Sequence, residues 1–120
     1  MKALHSIALV AALAAGQAYG ACSYPAAPDA LPDGATATRE EMLAGKKKVV
    51  EFDQAITAYT NCLKLEHEAA LAKSAELTED QKKDLQKMLD QKHNAAVEAD
   101  EAVAQRFNEQ LRAYNAKNKK

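Results

Sequence analysis

The chain has 120 residues, 16 basic against 17 acidic side chains, and no tryptophan, for a net charge of −1. That balance excludes nucleic acid as a partner, which asks for a strong positive excess. The length allows one small domain, and so few aromatics leave it a thin core that wants a staple or a partner.

The N-terminus addresses the compartment. Lys2 gives a short positive start, and Ile7–Ala15 forms an apolar core of signal-peptide length, too short to cross a bilayer comfortably. Ala18 and Gly20 are the small residues that mark cleavage before Ala21. Residues 1–20 therefore read as a signal peptide rather than a retained anchor, and no transmembrane span is left after cleavage. The mature protein is expected in the periplasm or the secreted fraction. A lipoprotein signal also ends just before a cysteine, but Tyr19 stands where lipidation of Cys22 wants a Leu-like residue. Lipid on Cys22 stays open as the rival to soluble export. The even pair Cys22 and Cys62 reads as a disulfide in an oxidising compartment, and its spacing carries neither a C-x-x-C redox motif nor a zinc signature.

Residues 21–37 hold all three prolines, Pro25, Pro28 and Pro32, so this segment is an extended arm near polyproline II. Asp33-Gly34 marks a turn. Thr38-Arg39-Glu40-Glu41 is a capping box that opens a helix over about 39–75. Val49, Phe52, Ile56, Tyr59 and Leu63 form one apolar stripe along it. A second box, Thr78 with Gln81, opens a helix over about 79–116. Its seam reads Leu85, Leu89, Lys92, Ala96, Val103, Phe107, Leu111 and Tyr114. Repeats at about eleven residues, such as 85, 96, 107 and 92, 103, 114, predict a nearly straight rod.

The short connection makes the helices antiparallel. With the turn near residue 76, facing positions have numbers that sum to about 152. Val49 then faces Val103, Ile56 faces Ala96, and Gly45 faces Phe107. The arm reaches about 50 Å at 3.1 Å per residue, while Cys62 lies about 36 Å up the first helix from Thr38. It can fold back to Cys62, with Pro25, Pro28 and Leu31 over a shallow channel of Ala55, Ala58 and Ala69. The fold class is thus all-α: a long two-helix hairpin over 38–120, with a Pro-rich arm pinned by one disulfide.

No residue pattern points to catalysis. His67 and His93 fall far apart along the rod and read as solvated, Ser23 and Ser74 lack a nucleophile-elbow context, and two helices offer no dry pocket for the many carboxylates. The protein is expected to be no enzyme and to need no cofactor or metal. Two features suggest contacts instead. Arg39, Lys46, Lys47, Lys48, Arg106 and Arg112 gather at the open end of the hairpin and suit an anionic envelope surface. Ala95, Ala96, Ala99 and Ala102 give a small-residue surface that another helix can approach closely.

Cys22-x-x-Pro25-x-x-Pro28, then Leu31-Pro32-Asp33-Gly34-Ala35-Thr36-Ala37-Thr38 with Glu41-Met42, then Tyr59-x-x-Cys62-Leu63, resembles a group of small exported proteins of proteobacteria. The resemblance spans most of the mature chain. It implies export and no particular activity. The expected function is non-enzymatic: an envelope protein that binds another envelope protein or forms a homo-oligomer. The alternative is a periplasmic stress-related chaperone or metal buffer.

Overall fold

The computed structural model describes residues 22–73 and 75–119. The signal-peptide reading of residues 1–20 lies outside them. Two helices account for the regular structure: α1, Arg39–Lys73, and α2, Glu79–Lys117. They pack against each other as an antiparallel hairpin. Among the described residues none is in a strand, and no helix is long and apolar enough to cross a membrane.

Both helices start where the side chains supply caps. The Thr38 amide donates to Glu41 Oε2 at 2.7 Å, and the Glu41 amide donates to Thr38 Oγ1 at 3.2 Å. Thr78 and Gln81 repeat the exchange at 2.9 and 3.2 Å. Each box satisfies two amides that have no partner within the helix, and Glu40, Glu41, Glu79 and Asp80 favour the positive helix ends. The Asn118 side chain and amide both donate to the Tyr114 carbonyl, closing α2.

The core lies along the seam in two linked clusters. Phe52, Ile56, Ala96 and Val103 form one, with Val49, Tyr59 and Ala99 packed beside them. Ala37, Met42 and Phe107 form the other, with Leu31 and Tyr114, and Val49 touches both. The register matches the expected sum, since Gly45 lies against Phe107. Two seam assignments fail. Lys92 is exposed, and Leu111 keeps 37 % of its surface because α1 has barely begun at its level.

The arm is the third element. Cys22 and Cys62 are bonded, with Cα atoms 5.6 Å apart. Tyr24 meets Tyr59 edge to face at 5.2 Å, Pro28 lies near Ala55, and Pro32 sits over Gly45. The chain therefore runs antiparallel to α1 from its middle to its start. The alanine channel is shorter than expected. Ala58 and Ala69 are exposed, and Leu31 leaves the channel to join Ala37, Met42 and Phe107.

Gly45 is required by the arm more than by the seam. A Cβ there would stand 2.5 Å from Pro32 Cδ and 3.2 Å from Phe107 Cε2, so a side chain would expel one of them. Gly34 has a sharper constraint. Its amide donates to Gln110 Oε1 at 2.9 Å, and a Cβ on it would collide with the Gln110 carbonyl of α2. Asp33 holds the turn, its carbonyl accepting from Thr36 and Ala37 and its Oδ1 from Ala35. Lys117 Nζ then donates to the Ala37 carbonyl at 3.0 Å. One short turn thus ties the arm to both helices.

Candidate interaction surface

Around the seam the hairpin has two flanks. One carries the arm. The other is bare among the described residues, and at the open end it holds a groove of about 490 Å³ between α1 and α2. Residues Arg39, Met42, Leu43, Lys46, Val49 and Val50 come from α1 at helical spacing; Phe107, Asn108, Leu111 and Tyr114 come from α2. Met42 and Phe107 form its buried floor, while Leu43 is 55 % and Val50 44 % exposed on its wall. Arg39 and Lys46 supply the charge at its edge. The groove is apolar, cationic at the rim, and open along one side.

The same flank turns anionic one helical turn further toward the connecting loop. Asp53 of α1 and Asp100 of α2 face each other there. One oxygen of Asp100, Oδ1, is buried with no hydrogen-bond partner among the described residues. Its carboxyl is raised above the usual aspartate range, first by burial, then by hydrogen bonding to and repulsion from Asp53, and last by repulsion from Glu101. Two acids sharing a partly dry position raise the energy of the folded chain near neutral pH.

The basic residues expected to act together at the open end divide over three sides. Arg39 and Lys46 edge the groove. Lys47 points outward and pairs with Glu51 at 3.8 Å. Lys48 lies on the arm flank, lining clefts beside Pro32 and Pro28. Arg106 and Arg112 are exposed along α2. The small-residue surface also contracts. Ala96 is fully buried against α1, and Ala99 packs on the same cluster, since both fall on or beside the seam stripe. Ala95 and Ala102 remain exposed.

At the far end of the arm flank, His67 lines a shallow apolar groove of about 160 Å³ with Glu66, Leu63, Leu85, Met88 and Leu89. His93 is half-buried further along α2. Cys22, Cys62 and Glu66 bring their sulfur and oxygen atoms within 4.8 Å of one another. With the two sulfurs joined, neither is a thiolate, so this grouping is a disulfide beside a carboxylate. The groove itself was not legible as a unit in the sequence. Leu43 and Val50 break the main stripe by one position each, and that was the available signal.

Compared with protein-family models, curated proteins and solved structures, the chain shows no significant match.

Proposed function

We propose that the protein is a non-enzymatic interaction protein of the periplasm or the secreted fraction, and that it binds a protein partner with the bare flank of its hairpin. The observation that carries this reading is the open-end groove: large apolar side chains, a buried floor and a cationic rim, on a rod whose other flank is occupied by the arm. The Cys22–Cys62 bond suits an oxidising, exported location. The bacterial exported group that the sequence resembles supports the same compartment.

Chemical cross-linking of the intact protein in envelope extract, read by mass spectrometry, tests the reading. Cross-links should concentrate at Lys46 and vanish in Val50→Asp, which places a charge on the groove wall without touching the seam. Cross-links scattered evenly over all lysines, unchanged in the variant, would contradict it.

A further inference from the structure

The bare flank is self-complementary. From the open end inward it carries Arg39 and Lys46, then Val50, then Asp53 with Asp100. Lys46 lies four residues before Val50 and Asp53 three residues after it, each about one helical turn away. Cations and carboxylates are thus balanced about a point near Val50.

We infer that a second copy of this chain covers the flank, forming an antiparallel twofold four-helix bundle centred near Val50, in which Lys46 of each copy meets Asp53 of the other. The inference deepens the proposed function and rests on it, naming the partner as a second copy. A twofold axis in the interface makes the contact isologous, with the same patch used on both sides. Run antiparallel, it sets α1 against α1 and α2 against α2. Lys46 then faces Asp53 of the second copy, with Asp100 of that copy at the same level, and the two Val50 side chains meet at the axis.

The charges also choose the direction. A parallel twofold pairing would set α1 of one copy against α2 of the other at equal heights, which brings Asp53 onto Asp100. Like charges would stack at the acidic end of the patch. Only the antiparallel arrangement turns the Asp53–Asp100 repulsion within each copy into attraction between copies. It also covers Leu43, Val50 and Leu111, the exposed apolar side chains of this flank.

Sedimentation equilibrium of the oxidised, signal-free protein over a wide concentration range provides the test. The wild type should be dimeric at micromolar concentration and low salt. Lys46→Glu and Asp53→Lys should each weaken the dimer by roughly ten-fold or more, and the double swap Lys46→Glu/Asp53→Lys should restore most of it. Circular dichroism checks that each variant keeps its helices, which these exposed positions allow. A wild type that stays monomeric, or a dimer indifferent to both single swaps, overturns the inference. If the wild type is monomeric but its cross-links to another envelope protein vanish in Val50→Asp, a different protein occupies the flank, and the interaction reading stands without the dimer. If neither is seen, both readings fall.

Discussion

The two halves of the rod differ in one respect: how many elements cross the section. From Arg39 to Leu63 the arm lies along α1 and meets α2 at its turn, and every buried residue among those described falls in this half or on the part of α2 and the arm that face it. From Lys64 to Lys73, and back through Glu79 to Lys92, only two helices run together, and none of these residues is buried. Leu65, Leu71 and Met88 remain exposed there. Two helices in contact cover one stripe each, which leaves their flanks wet. A third strand of chain is what converts the stripe into a core.

The largest expected break in this contrast is Phe107→Ala. It empties the junction where Gly45, Met42 and Ala37 meet, and such truncations cost about 3–5 kcal/mol. Met88→Ala, at the tip, should change stability by less than about 0.5 kcal/mol. Urea unfolding of both variants measures the difference. Equal losses would mean that burial does not follow the arm.

Reduction of the disulfide, or Cys62→Ser, comes next. On the chain-entropy view, releasing a 40-residue loop removes up to about 4 kcal/mol. The arm should detach while most helical signal survives, because the Phe52, Ile56, Ala96 and Val103 cluster holds no arm residue. Thermal melts with and without reductant decide this. Gly34→Ala should follow, at about 1–3 kcal/mol, as its methyl group displaces the turn from the Gln110 carbonyl and the Gly34 and Lys117 hydrogen bonds to and from the turn are lost. Amide protection at Ala35–Ala37 would report the displaced turn.

The smallest effect has the opposite sign. Asp100→Asn removes one of two facing acids and should stabilise the protein modestly at pH 7. The folded-state pKa of Asp100 is raised, so its favourable contribution is complete below the unfolded aspartate value and fades as pH rises through the folded value. The gain from the asparagine should therefore shrink as pH falls through the carboxylate range. Melting curves at several pH values check the sign. A gain that grows on acidification would contradict it.

Much of this was legible in the sequence, because helices advertise themselves by period and by caps. The two boxes at Thr38 and Thr78, the stripe from Val49 to Leu63, and the pairing of Gly45 with Phe107 follow from spacing alone. The Cys22–Cys62 bond follows from compartment and reach. What could not be read concerns the arm. An extended segment has no period to show which side chains turn inward, so the burial of Leu31 and Ala37 and the demand of Pro32 on Gly45 stayed hidden. Gly34 read as a turn residue, yet its fixed requirement is contact with α2, whose sequence position is 76 residues away. Cations near each other in the chain, such as Lys46, Lys47 and Lys48, fall on three sides because a helix turns about 100° per residue.

The claim that the arm makes the core is tested most directly by hydrogen exchange, residue by residue, on the oxidised protein. Amides of Val49–Leu63 and Ala96–Phe107 should exchange at least about ten-fold more slowly than those of Lys64–Lys73 and Leu85–Lys92. Reduction of the disulfide should erase most of that gap. Uniform protection along both helices, unchanged by reduction, would show that the two helices are sufficient and that the arm is an ornament on their surface.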